Sequence, residues 1–352
     1  LAVLGATPLL VGAIAGGGEF LGYALRVLAG RWVDRKGAHW VLIFTGYVVN
    51  LFALPALALT AGLAPAASLI FAERLGKGLR APARDAVIAR ASHELGRGYA
   101  FGLHETLDQI GALTGPLLVA GAVAWAGYRH GFAVLALPAA VAMFFLFRVH
   151  RIEPEDTEPK GEQKGQAKAG FSRLYWLYLA FAGVLIAGFA HFQIVAYHLE
   201  VTHRAAGATI PLLFALAMAT DAVAAYVVGK LYDRHGMTLL VALPQLALPT
   251  APLAFLGTSL WTIGAGVALW GAALGLQESV MRAAVADLAP AERRGTAYGV
   301  FDAVFGASWM IGSLVMGWLY GLSPTSLVIF AVAFELLSIF PFLRLHRAWK
   351  TA

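Results

Sequence analysis

The stretch Gly30-Arg31-Trp32-Val33-Asp34-Arg35-Lys36-Gly37 reads as a short charged turn between two apolar runs of membrane-spanning length. A second copy, Gly229-Lys230-Leu231-Tyr232-Asp233-Arg234-His235-Gly236, follows at an offset of 199 (229 − 30). Glycine, aspartate, arginine and glycine recur at matching places in both. Two such turns in one chain imply two halves built alike.

Composition supports this. Of 352 residues, 59% are hydrophobic and 13% charged, whereas a soluble domain carries roughly 25% charged residues. Apolar spans are expected at about 7–29, 39–61, 64–79, 98–124, 131–149, 174–198, 208–230, 238–257, 261–283, 295–320 and 324–345. Most have the length that crosses a bilayer as a helix. The fold class is therefore an all-α polytopic membrane protein of about eleven helices. The alternation that a membrane barrel requires is absent. With no cysteine in the chain, neither a disulfide framework nor a cysteine metal site is available.

The net charge of +6 is distributed unevenly. Arg129 and Arg204 fall at one membrane face, Arg26 and Arg74 inside spans, and the remaining Lys and Arg at the opposite face. Basic residues gather on the cytoplasmic side, so the bias sets orientation and gives no reason to expect a nucleic-acid partner. The linker and C-terminus are then cytoplasmic and Leu1 starts outside. An outer start without Met leads us to expect a truncation that removes a first helix. The Glu/Lys/Gln/Pro/Gly-rich segment at 151–172 cannot bury apolar surface and reads as a flexible linker. It separates an N-terminal bundle at 1–150 from a C-terminal bundle at 173–352.

The duplication extends beyond the turn. Arg97-Gly98-Tyr99-Ala100-Phe101-Gly102 matches Arg294-Gly295-Thr296-Ala297-Tyr298-Gly299 at an offset of 197 (294 − 97), which places Glu105 on Asp302. Parallel repeats of this kind are one plan of secondary transporters.

On these residues the chain resembles the major facilitator superfamily. Gly30, Asp34, Arg35 and Gly37 match its signature Gly-x-Leu-Ala-Asp-Arg-x-Gly-Arg-Arg, while Ala38 and His39 replace the closing basic pair. Gly229, Asp233, Arg234 and Gly236 match the echo. The resemblance implies two six-helix bundles, the first helix here missing, that rock about a central site. It also implies that the charged turn latches the cytoplasmic side of one conformation. Two further patterns are similar to the drug:proton antiporter branch. One is Arg74-Leu75-Gly76-Lys77-Gly78, with Lys77 in place of Gln. The other is Gly111-Ala112-Leu113-Thr114-Gly115-Pro116, without the trailing glycine pair.

Ionisable groups in hydrocarbon cost at least ~2.5–3.5 kcal/mol each, so each is a candidate for the substrate or proton pathway. Glu19 and Arg26 share one helical face. Glu73 and Arg74 lie in the next-but-one span, and His104, Glu105 and Asp108 in the span after it. Such a cluster carries protons, or else it is a permanent ion-pair network. Asp221 stands mid-span without a local partner. Glu278 and Arg282, spaced i, i+4 beside Gln277, suit a snorkelling pair. His191, Gln193, Tyr197 and His198 approach the outer face, and Asp302 and Glu335 are weaker candidates. The segment from Gly78 to Asp85, broken by Pro82, is expected to be a basic cytoplasmic loop that orients the chain or binds an anion. Gly16-Gly17-Gly18 and the Gly111/Gly115 pair suit close helix approach. No phosphate-binding loop, metal-ligand spacing or catalytic motif is present, so no enzyme activity, cofactor or metal is expected. The expected partners are a small-molecule substrate, protons and the lipid bilayer, for a monomer in a bacterial inner membrane. Proton-coupled efflux leads. Symport of an organic anion drawn by Arg26 and Arg74, or a non-transporting receptor or lipid-handling protein, are the alternatives.

Overall fold

The computed structural model describes residues 8–92, 94–152, 170–204 and 209–351. Most of the expected linker (153–169) and the expected truncation point (1–7) lie outside the described residues. The elements are α1 (Pro8–Lys36), α2 (His39–Ala56), α3 (Leu63–Ala91), α4 (Arg97–Ala133), α5 (Ala136–Ile152), α6 (Arg173–Gly188), α7 (Phe192–Val201), α8 (Thr209–His235), α9 (Ala242–Ala247), α10 (Leu260–Leu288), α11 (Arg294–Leu322) and α12 (Pro324–Lys350). There is no strand among the described residues.

Local chemistry sets the ends. Ser172 accepts from the Tyr175 N–H at the start of α6, and Ser323 from Ser326 N–H ahead of Pro324 in α12. Ser259 and Thr262 form a capping box on α10, satisfying N–H groups that a helix start leaves without partners. The two charged stretches are helical up to Lys36 and His235 and stop at Gly37 and Gly236, with φ of 66° and 56°. Each closing glycine thus supplies the left-handed residue that ends a helix. Only the last residue of each stretch is the turn.

Seven segments among the described residues are long and apolar enough to cross a membrane. Two of them, Arg97–Ile152 with 56 residues and Thr209–Leu256 with 48, are each long enough for two passes, since a crossing takes about 20 residues. The first breaks at Gly127, whose φ of 81° is not helical. The second, expected to finish in one regular span at 238–257, is irregular there: a 3-10 stretch (Gly236–Val241), the short α9 and a π turn (Pro252–Leu256). Pro244, Pro249 and Pro252 each remove a backbone donor.

Helix α3 differs most from expectation. It runs through Pro82 to Ala91 instead of ending near residue 79. Between α6 and α7 the helix opens at Phe189-Ala190-His191, and Trp270 Nε1 donates to the freed Ala190 carbonyl at 2.7 Å. A break at membrane depth needs such a donor.

Two compact units form. The first contains Leu1–Val87, Thr114–Gly170 and Ala291–Ala303. Its core includes Val33, Trp40, Ile43 and Val87. The second contains Ile88–Leu113, Phe171–Pro290 and Val304–Ala352. Phe189, Phe255, Val267 and Trp270 pack at its centre. Large apolar side chains such as Leu117, Phe144, Phe145 and Trp318 lie exposed, as lipid-facing positions require.

Candidate functional site

In the first unit the Asp34 carboxylate accepts from the backbone N–H groups of Gly295 (2.9 Å) and Thr296 (2.6 Å), at the start of α11. An anion there meets donors that the helix leaves free, and the positive end of its dipole. The approach requires glycine: a Cβ on Gly30 would stand 2.1 Å from the Gly295 carbonyl oxygen, and one on Gly299 2.4 Å from that of Arg26.

The second unit repeats this arrangement. Asp233 accepts from Gly98 (2.7 Å) and Tyr99 (2.8 Å) at the start of α4. A Cβ on Gly98 would lie 2.2 Å from the Gly229 oxygen, and one on Gly102 2.3 Å from that of Ala225. The two sequence offsets are therefore realised as equivalent contacts. The second contact carries extra support: Arg97 pairs with Asp287, and the Tyr232 hydroxyl donates to Asp287 at 2.7 Å. In the first half Arg90 holds the position corresponding to Asp287 (287 − 197).

Burial raises the Asp34 carboxyl above 3.8 by more than its hydrogen bonds to Thr296 and Gly295 lower it. The contact therefore holds a proton more tightly than a solvated aspartate does. Its contribution is full below the ordinary value and fades as pH rises through the raised one. Thermal unfolding measured from about pH 4 to 8 should show wild-type protein losing stability, relative to Asp34→Asn, as pH rises across that window.

Deeper in the first unit, Arg74 lies 3.0 Å from Glu19 and 3.1 Å from Glu73, and Asn50 donates to Glu73 at 2.8 Å. Arg26 pairs with Asp302 at 3.1 Å, with both side chains buried, and lies over the Tyr23 ring. Glu19 and Arg26, expected on one face, thus take different partners. His104, Glu105 and Asp108, expected beside Glu73 and Arg74, are grouped by the structure with α8 and α10 in the second unit.

There Glu105 is buried, with Gln109 donating to it at 2.6 Å. Asp108, Glu278 and Asp221 are its electrostatic neighbours. Asp221 is fully buried, and neither carboxylate oxygen has a hydrogen-bond partner among the described residues. Glu278 pairs with Arg282 at 3.1 Å. Arg282, paired with Glu278, acts on Glu105 electrostatically, and the repeat explains why Glu105 has no counterpart of Arg26. Its counterpart Asp302 faces Arg26, but the residue equivalent to Arg26 (26 + 199) is Ala225. Glu335 on α12 is also buried, with no hydrogen-bond partner for its carboxylate among the described residues. His191 accepts from Trp309 Nε1 at 2.5 Å, and His198 meets the Tyr320 hydroxyl at 2.9 Å. Gly111 and Gly115 have no heavy atom within 4 Å of an added Cβ, so neither mediates a close approach among the described residues.

The profile of the Major Facilitator Superfamily matches residues 1–276 and, a second time, 199–351. The chain belongs to this family. An uncharacterised protein of Mycobacterium tuberculosis is 38% identical over 347 residues, covering 96% of this chain and 85% of that one. An uncharacterised transporter of the same superfamily from Methanocaldococcus jannaschii is 26% identical, with 95% and 85% covered. Among solved structures, the human organic anion transporter MFSD10 superposes with a TM-score of 0.74 at 17% identity (96% and 84% covered). The Escherichia coli fucose:proton symporter FucP gives 0.67 at 14% (95% and 90%). The family and fold are those of membrane-embedded secondary transporters of small molecules.

Within this family frame, sequence reasoning undervalued Asp302, whose partner stands 276 positions away (302 − 26). It also read Arg97 only as part of the repeat and left Asp287 unremarked, although Asp287 near a helix end was a visible signal. Lys77, counted with the basic face, lies at the middle of α3 once that helix extends to Ala91.

Proposed function

We propose that the protein is a proton-coupled exporter of a small organic solute, working by alternating access in a bacterial inner membrane. Counting Arg97–Ile152 and Thr209–Leu256 as two passes each brings the seven apolar segments to nine, and adding α1 and α3 gives eleven spans with their basic ends cytoplasmic. Residues 1–150 and 173–352 act as the two moving halves, joined at 151–172, in a monomer. The contacts of Asp34 and Asp233 close the basic side in one state and release in the other.

The observation that carries proton coupling is the acid surplus of the second unit. Glu105, Asp108 and Asp221 outnumber the cations facing them, because Arg282 is committed to Glu278 and Ala225 replaces an arginine. A buried carboxylate without a cation must be neutralised or hydrated, and a proton that enters and leaves once per cycle does so. Arg74, held between Glu19 and Glu73, and the Gly111/Gly115/Pro116 pattern support the antiporter direction. The test is flux in vesicles under imposed pH gradients. An exporter moves solute against the direction of proton flow, and a symporter moves it along with the protons.

A further inference from the structure

The first unit holds a cation that the reading above does not use. Lys77 is exposed although it lies mid-helix in α3. Its electrostatic neighbours are Arg26, Arg80, Arg74 and, with opposite sign, Glu19. The arginines are engaged. Arg26 is paired with Asp302, Arg74 with Glu19 and Glu73, and Arg80 lies over the Tyr47 ring at 4.2 Å. No carboxylate among the described residues lies within salt-bridge distance of Lys77.

The helix places it deliberately. Gly76 packs against the Gly46 and Asn50 backbone of α2, and Gly78 against Gly22 of α1. At 3.6 residues per turn, Glu73, Arg74, Lys77, Arg80 and Arg84 fall within an arc of about 120° between those two contact lines, with Lys77 near its centre. Gly22 precedes Asp34 by twelve residues (34 − 22), so Lys77 sits about 18 Å from the basic-end contact. That is membrane depth. A bare ammonium among three guanidinium groups is costly there, and an anionic ligand supplies what it lacks. The second half has no equivalent: Leu274 stands at the matching position (77 + 197).

We propose that Lys77 anchors the carboxylate or phosphate head of a small organic anion, and that Arg74 and Arg80 flank it. The proposal rests on the transport reading and names its substrate class, but not the direction of flux. The test measures binding of benzoate, of inorganic phosphate and of the cation tetraphenylphosphonium to the protein in phosphatidylcholine nanodiscs. A second arm dopes the discs with phosphatidylglycerol. We expect benzoate or phosphate to raise the apparent melting temperature. Lys77→Gln should weaken that anion at least tenfold, and Lys77→Arg should restore it. Lys77→Met serves if the glutamine variant does not fold. Stabilisation by phosphatidylglycerol alone, binding of neither anion, or an unchanged affinity in Lys77→Gln would overturn the proposal. If tetraphenylphosphonium binds and is carried in a proton-dependent manner while both anions fail, the substrate class falls and the transport reading stands.

Discussion

Asp221→Asn and Glu105→Gln should each lower pH-gradient-driven flux by about a hundredfold while leaving counterflow of the solute across both faces intact. The magnitude follows from the cost of a charge in hydrocarbon, at least ~2.5–3.5 kcal/mol, at about 1.4 kcal/mol per tenfold. A neutral amide cannot alternate between a protonated and a charged form, so the step that the proton drives loses its drive. Counterflow needs no net proton movement and survives. Glu335→Gln is the control: it removes a similarly buried carboxylate on α12 that has no hydrogen-bond partner among the described residues, and should leave coupling unchanged. Loss of counterflow in Asp221→Asn would make that residue structural.

The second large effect comes from the glycine contacts. In Gly30→Val the new Cβ would fall 2.1 Å from the Gly295 carbonyl oxygen, a distance that forces α1 and the start of α11 apart. Gly30 lies within a regular helix, so backbone strain at the residue itself is not the cause. Overpacking of this order costs roughly 1–3 kcal/mol, enough to shift the closed–open balance about tenfold or more. The chain has no cysteine, so a Thr296→Cys reporter labelled by a membrane-impermeant maleimide reads this opening cleanly. Labelling should rise at least tenfold in the valine background, and transport should fall because the protein cannot return to the closed state. Unchanged labelling would show that the contact yields without opening.

What the sequence disclosed follows physical range. The Asp34 and Asp233 turns were legible because residue type, glycine spacing and repetition all lie in short stretches. Their partners became legible only as repeats: Gly98 and Gly295 were matched to each other, but nothing local ties Gly295 to Asp34. The pairing of Arg26 with Asp302 and the lack of an Arg26 counterpart at Glu105 were hidden for the same reason, since each depends on helices far apart in the chain. The missing cation at Ala225 emerges only when both offsets and the contacts are combined. Lys77 was misjudged differently. Pro82 within a basic run argued for a loop, yet α3 continues through it, because one lost hydrogen bond is small beside a packed helix face held by Gly76 and Gly78. The irregular stretch after Gly236 carried its own warning in three prolines, outweighed in the reading by apolar composition.

The claim on which the rest depends is that the Asp34 contact opens and closes during function. Spin labels at Arg31→Cys and Ala291→Cys, both exposed positions beside that contact, report the separation of α1 from the start of α11. Pulsed dipolar spectroscopy should show two distance populations, with acid enriching the shorter one. A single distance, unmoved by pH, by Gly30→Val and by an imposed proton gradient, would contradict the account.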